Sequence, residues 1–263
     1  MARKWNQKEE ELIYKELENL YVKKNKTIGE VAKILSLGQS TVYDRLLRLN
    51  IKPERFKKKK FNNKRNDIFV PQRYSANLSE FIGVMLGDGH LTLTQVTVTL
   101  GTKEDSYAHY LAKLVKKLFK ITPKIIKRED KYNILYFGSV VVVDWLMSMG
   151  LVLNKVKSQV RVPSWIFGSK CFVKRFLRGF FDTDGSVYKL KFGVQVAFTN
   201  RSLPLLESTR GGLLQLGFRP SNISKFRVYL TRKKDIAGFF EKIRPANKKH
   251  LKRYRIMSKS WDG

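Results

Sequence analysis

The sequence predicts an α+β protein: a small all-α domain followed by two pseudo-symmetric αββαββα units built on antiparallel sheets. Three observations predict it. Residues 1 to about 52 carry helical periodicity and capping signals with no alternating stretch. From about Tyr74 onward, segments of period two are interleaved with amphipathic segments of helical period. That second pattern runs through twice, and each run opens with a helical segment ending in Asp-Gly, at Asp88-Gly89 and at Asp184-Gly185.

In the N-terminal part, Asn6 is placed to cap a helix running from Gln7 to about Lys24, with Leu12, Ile13, Leu17 and Leu20 on one face. Thr27 caps a second helix, and Glu30 three residues on completes a capping box. Ile28, Val31, Ala32 and Ile34 are its apolar residues. After a turn holding Leu37 and Gly38, Ser40 opens a third helix with Val42, Leu46 and Leu49 inward, and the chain leaves through Asn50-Ile51-Lys52-Pro53. Two short helices joined by a Gly-containing turn form a helix-turn-helix unit. Residues 27–53, TIGEVAKILSLGQSTVYDRLLRLNIKP, resemble that family. The resemblance implies that the third helix enters the major groove, where Gln39, Ser40, Thr41, Tyr43 and Arg45 would meet bases and phosphates. The alternative is a small three-helix packing module with a polar face, since many trihelical units bind protein. The domain is placed at residues 1–56.

Residues 57–73 are assigned as a basic linker, because ERFKKKKFNNKRND (54–67) has few core-forming residues and four consecutive lysines. It is expected to contact phosphates; a solvated loop is the other reading. The whole chain shares this bias. Its 53 Lys plus Arg against 22 Asp plus Glu give a net charge of +31 over 263 residues. Such an excess costs stability by self-repulsion and is offset by a polyanionic partner. Nucleic acid is the first candidate, through counterion release, and an acidic membrane surface the second.

The remaining 74–263 divide into copies at about 74–170 and 171–263. In the first, Leu91 and Leu93 alternate with Thr92 and Thr94, then Val96, Val98 and Leu100 alternate with Gln95, Thr97 and Thr99. KEDSYAHYLAKLVKKLF is a helix, PKIIKRE and YNILYFG are strands, and VVVDWLMSMG is a helix. In the second, Tyr188, Leu190 and Phe192 alternate with Val187, Lys189 and Lys191, and Val194, Val196 and Phe198 alternate with Gln195, Ala197 and Thr199. SLPLLESTRGGLLQLGF is a helix, NISKF and RVYLT are strands, and DIAGFFEKI is a helix.

The helices that open each copy carry the chemistry. FIGVMLGDGHL (81–91) and FLRGFFDTDGSV (176–187) align on their final Asp-Gly, so Asp88 corresponds to Asp184. Small residues recur at helical spacing, Gly83 and Gly87 in one, Gly179 and Thr183 in the other, which lets two helix backbones approach closely. Packed so, the helices set their C-terminal ends side by side. A helix C-terminus is already partially negative, so an Asp there is unfavourable and two together are worse. A hard divalent cation reverses every one of those terms, taking carboxylate and carbonyl oxygens as ligands. Asp88 and Asp184, with the carbonyls of Gly87 and Thr183, are therefore expected to hold a metal, and Gly89 and Gly185 to stop each helix as left-handed caps. A lone Asp-Gly is an ordinary helix stop; the matched pair is what argues for a site.

FIGVMLGDG and LRGFFDTDG resemble the two motifs of single-chain LAGLIDADG homing endonucleases, and the likeness covers about residues 74–263. It implies that Asp88 and Asp184 bind Mg²⁺ (or Mn²⁺, with Ca²⁺ binding without cleavage) and activate water. It also implies two curved sheets that saddle the major groove of a long double-stranded DNA site, with both strands cut across the minor groove. Asp182 matches an acidic position that is not a metal ligand in the family, and Leu86 occupies it in the first copy. The polar strand faces would then read bases: Thr92, Thr94, Gln95, Thr97, Thr99, Lys189, Lys191, Gln195, Arg227 and Tyr229. Their other reading is a solvated sheet face. The family also sets basic residues around its cleft. NKVKSQVRVPSWI (154–166) has that position in the first copy, with Lys157 favoured over Lys155, and NKKHLKRY supplies Lys249 in the second.

Two alternatives share the scaffold: a maturase that binds intron RNA, and a helix-turn-helix transcription regulator that does not cleave. Retention of both acidic residues favours the nuclease, expected as a monomer with internal two-fold pseudosymmetry. Gly263 is not the terminal Asn that protein splicing needs, so an intein is not expected. Cys171 is the only cysteine and the three histidines lack ligand spacing, which excludes a disulfide framework and a Cys-based zinc site. No apolar run spans a bilayer and no signal pattern appears, so an intracellular, reduced setting is expected.

Overall fold

A computed structural model describes residues 7–24, 26–49, 51, 68–128, 131–190 and 193–258. The Asn6 cap, the chain exit at Asn50, Lys52 and Pro53, the basic run 54–67, Lys191 and Phe192 lie outside them. The chain divides into two compact units, residues 1–62 and 63–263.

In the first unit, α1 (Gln7–Leu17) passes into a π-helical turn at Glu18–Lys23 and is followed by α2 (Ile28–Ile34) and α3 (Gln39–Arg48). The Thr27 hydroxyl accepts from the Glu30 amide at 3.2 Å while the Glu30 carboxylate accepts from the Thr27 amide at 2.6 Å, a reciprocal capping box. Ile13, Leu17, Val31, Ala32, Val42, Leu46 and Ile51 form a single small core. Leu12, expected on one face with Ile13 and Leu17, is 67% exposed, and Ile34 of α2 is 51% exposed. Leu12 stands about 100° around the helix from Ile13, and among the described residues of α1 it is Ile13 and Leu17 that enter the small core. The turn between α2 and α3 is made by Ser36, at φ 52°, and not by Gly38.

The second unit runs α4 (Ala76–Leu86), β1 (Gly89–Leu91), β2 (Gln95–Leu100), α5 (Asp105–Phe119), β3 (Lys124–Arg128), β4 (Tyr132–Gly138) and α6 (Val140–Ser148). A 3₁₀ turn at Ser164–Gly168 leads into α7 (Lys170–Asp184), β5 (Gly185–Leu190), β6 (Gly193–Thr199), α8 (Leu203–Gln215), β7 (Arg227–Leu230), α9 (Lys233–Ile243) and α10 (Lys248–Ser258). Two antiparallel sheets result, ordered β1-β2-β4-β3 and β5-β6-β7. The second has one strand fewer than expected. NISKF forms only a bridge, Ser224 to Arg227, because Lys225 and Phe226 turn left-handed at φ 46° and 59°. The expected second αββαββα therefore lacks a strand, and it gains α10 beyond the helix at Lys233–Ile243.

Two further expectations shift. Thr92, Leu93 and Thr94 make the β1–β2 turn instead of extending a strand, so Leu93 is 54% exposed. In β5 the alternation is inverted: Val187 pairs with Val196 and is buried, while Tyr188 pairs with Gln195 on the opposite face. A strand that starts directly at a helix end takes its register from its partner, and a one-residue slip reverses every side chain.

Helices α4 and α7 pack backbone to backbone at the centre. A Cβ on Gly83 would lie 2.3 Å from the Phe176 carbonyl oxygen, and one on Gly179 would lie 2.1 Å from that of Glu80. Residues Leu78 to Leu86 are buried all round, as a central helix requires. The buried Glu80 carboxylate is compensated by Arg175 at 2.8 Å and Arg178 at 3.4 Å, and it accepts from the Tyr110 hydroxyl. Gly89 and Gly185 are not left-handed caps. Gly185 is extended at φ −87°, and both positions exclude a side chain because its Cβ would meet the preceding helical turn: Met85 Cα at 2.4 Å, and the Phe181 oxygen at 2.3 Å.

Candidate active site

The close helix pair carries its two acidic residues to one place. Asp184 closes α7 and Asp88 follows the Gly87 cap of α4. A Cβ on Gly87 would be 1.9 Å from the Thr183 hydroxyl and 3.1 Å from Asp184 Oδ1, so the Gly87–Thr183 contact brings the two carboxylates within electrostatic reach of each other. Asp88 is open to solvent on one side and Asp184 is half-buried. Loss of surrounding water raises the Asp88 carboxyl, against the pull of Lys249 and Lys155. Burial pushes Asp184 up to about 7, with Asp88 adding to the rise and the Asn200 hydrogen bond opposing it. Asn200 Nδ2 donates to Asp184 Oδ2 at 2.6 Å.

Two ammonium groups complete the cluster. Lys155 Nζ donates to the Met85 carbonyl at 3.1 Å and to the Gly87 carbonyl, satisfying the orphan oxygens at the end of α4. Burial lowers its pKa, and Asp184 and Asp88 partly restore it. Lys249 Nζ lies 2.6 Å from Glu104 Oε1. Lys157, favoured over its neighbour from the sequence, is exposed, and only its backbone amide is engaged, by Asn154 Oδ1. The turn at residues 154–160 points Lys155 inward and Lys157 away. Asp182, 1% exposed, faces the other way: its carboxylate accepts the amides of Ala246 at 2.9 Å and Asn247 at 3.0 Å. Burial raises it to about 7.

No group of three His, Cys, Asp or Glu side chains that could hold a metal exists among the described residues. The pair offers two carboxylates, the oxygen chemistry a hard divalent cation takes; the Gly87 carbonyl, expected beside them, is engaged by Lys155. The pair's raised carboxyls are what an added positive charge would relieve. The donor set fits such an ion.

On the sheets, residues facing away from the core follow from register. His90, Thr97, Tyr136 and Lys124 form one cross-strand row and Thr99, Ile134 and Ile126 another. On the second sheet Tyr188 and Gln195 are paired and hydrogen-bonded, Tyr229 lies opposite Ala197, and Arg227 opposite Thr199. Gln95, Thr97, Thr99, Gln195, Tyr229 and Arg227 thus face away from the core. Lys189 does not: it shares the parity of buried Val187, exposed only because the strand is ending. Thr92 and Thr94 sit in the turn. His90, Tyr136, Lys124 and Tyr188 share those outward faces, which strand pairing alone reveals. In the first unit Gln39, Ser40 and Tyr43 are exposed at the start of α3, and Thr41 and Arg45 are half-buried. Gln39 lies back against α2, its Nε2 being 3.4 Å from a Cβ placed on Gly29.

A family model described as LAGLIDADG-like domain matches residues 172–244. The Replication factor C small subunit of Methanocaldococcus jannaschii is 25% identical in an alignment 261 residues long that covers 92% of this chain and 13% of that protein's length. Among solved structures, the chain is similar to I-DmoI in complex with DNA and Mn, with 18% identity, a TM-score of 0.47, and coverage of 64% of this chain and 96% of that one. It is similar also to the N-terminal LAGLIDADG domain of DUF199/WhiA, with 19% identity, a TM-score of 0.47, and coverage of 64% and 80%. No helix among the described residues is long and apolar enough to cross a membrane.

Proposed function

We propose that this chain is a site-specific DNA endonuclease of the LAGLIDADG homing type, which hydrolyses one phosphodiester on each strand of a long duplex in a reaction dependent on Mg²⁺ or Mn²⁺. The observation that carries the reading is the meeting of Asp88 and Asp184 at the ends of two helices in backbone contact, flanked by Lys155 and Lys249. A divalent cation held by Asp88 and Asp184, with the Gly87 and Thr183 carbonyls, would supply the positive charge that steadies the attacking and leaving oxygens of a phosphodiester. Lys155 and Lys249 add fixed positive charge where the phosphate becomes more negative. Lys155, held by the Met85 and Gly87 carbonyls, keeps that charge fixed at the end of α4.

The domain reading is a helix-turn-helix at 1–56, a basic linker at 57–73 and the nuclease at 74–263, acting as one pseudo-symmetric monomer. Double-stranded DNA is the partner. The +31 charge supports phosphate contact, and the outward rows on both sheets supply base-reading groups that fit a major groove. The test is cleavage of a randomised duplex library in Mg²⁺ or Mn²⁺, repeated in Ca²⁺ for binding. One long site cut on both strands is the expected result; no product in either metal sinks the proposal. Binding without cleavage is the second reading, favoured by the three-helix N-terminal unit, and would mark a regulator. A preference for folded intron RNA in the same assay would mark a maturase.

A further inference from the structure

Glu104 lies in the loop between β2 and α5, in the half of the second unit that carries Asp88, and is 9% exposed. It belongs to neither acidic motif. Its carboxylate takes three donors: the Gly101 amide at 2.7 Å, Asn247 Nδ2 at 2.8 Å and Lys249 Nζ at 2.6 Å. Asn247 and Lys249 come from the opposite half, at the start of α10. Asn247 is itself fixed there, since its amide and its side chain both bond Asp182. Burial alone would raise the Glu104 carboxyl, but the bonds from Lys249, Asn247 and Gly101 hold it below the ordinary range.

We propose that Glu104 is a positioning residue: it reaches across from the half that carries Asp88 and holds the Lys249 ammonium in place beside the paired carboxylates. The proposal rests on the endonuclease reading. Lys249 is a long, flexible cation at the first turn of a highly basic helix, and its neighbours Lys248, Lys252 and Arg253 would repel it outward. A buried anion with two other donors already in place is a fixed anchor that the ammonium joins without reordering the protein. Among the described residues the second half has no such anchor. Its corresponding loop carries Asn200, which donates to Asp184 directly. The two carboxylates are therefore supported by different devices, and only one of them passes through Glu104.

The test compares Glu104→Gln, Lys249→Met and the double variant, with single-turnover cutting followed on each labelled strand. Glu104→Gln is expected to slow one strand by about tenfold or more, the size typical of groups that orient a site's direct participants. It should accumulate the same nicked product as Lys249→Met, with duplex affinity in Ca²⁺ within about twofold of wild type, as expected when a contact matters only during reaction. The double variant should be no slower than Lys249→Met alone, because one effect acts through the other. Equal slowing of both strands with a matching loss of thermal stability, or effects that multiply in the double variant, would overturn the proposal. A second measurement is independent of cutting. The Lys249 ammonium should give a slowly exchanging side-chain ¹⁵N resonance that Glu104→Gln abolishes, and its persistence in that variant would also overturn the proposal. If wild type cuts no duplex, the endonuclease reading fails and the resonance alone judges whether Glu104 holds Lys249.

Discussion

At Asp184 the folded chain holds a carboxyl at about 7, against 3.8 for the ordinary group. Below about pH 4 the group is protonated in folded and unfolded states alike. Between there and 7 the folded state keeps a proton the unfolded state has released, so stability falls as pH rises through that window and the full cost stands above it. Metal-free wild type should therefore melt higher at pH 6 than at pH 8. Asp184→Asn should remove part of that dependence, Asp182 retaining a share of the same sign. At pH 8 without metal, Asp184→Asn is expected to raise the melting temperature by about 2–4 °C while abolishing cleavage, a trade between stability and activity typical of charged sites. Adding Mg²⁺ should reverse the order, stabilising wild type and leaving the variant unmoved, since a ligand stabilises only the state that binds it. Differential scanning fluorimetry with and without EDTA reads all of these. A variant that still cuts, or that gains nothing when metal is withheld, would separate Asp184 from the cation.

Among the elements, α4 and α7 leave the least latitude. Gly179→Ala would press a methyl within 2.1 Å of the Glu80 carbonyl oxygen, and neither backbone has room to give. The expected loss is about 1–3 kcal/mol, the usual cost of overpacking, measured by urea denaturation. Gly211 in α8 is the contrasting case. Nothing lies within 4 Å of a Cβ there, and alanine should stabilise that helix by about 0.5–1 kcal/mol. The same contrast explains what was legible beforehand. The Gly83, Gly87, Gly179 and Thr183 spacing announces a close helix pair because it is local and periodic, and the acids that end each helix follow from it. Local order does not decide which of Lys155 and Lys157 turns inward, because one turn of chain at residues 154–160 sets it. Nor does it show Tyr188 facing outward, because β5 borrows its phase from β6. Glu104 and Asn200 were invisible because each stands in a loop after a strand: the fold brings Asn247 and Lys249 to Glu104 from the other half, and returns Asn200 to Asp184 across the β5–β6 hairpin. NISKF has the composition of a strand, yet two left-handed residues end it as a bridge.

At the scale of the whole chain, a charge of +31 makes binding to a polyanion strongly salt-dependent. Removing residues 1–56 is expected to weaken affinity, flatten the dependence of binding on salt and shorten the footprint on DNA, as filter binding and footprinting would show. An unchanged footprint would make the three-helix unit a docking module for protein. The glycine contact between α4 and α7 has a further consequence on the proposed reading. The separation of the two reacting centres is set by main-chain atoms touching main-chain atoms, whereas the groups that would choose a target project from the distant faces of the sheets. A gauge made of backbone is indifferent to which side chains are exchanged elsewhere. Such a protein can drift from one target to another, residue by residue along its strands, and still make its two cuts the same distance apart.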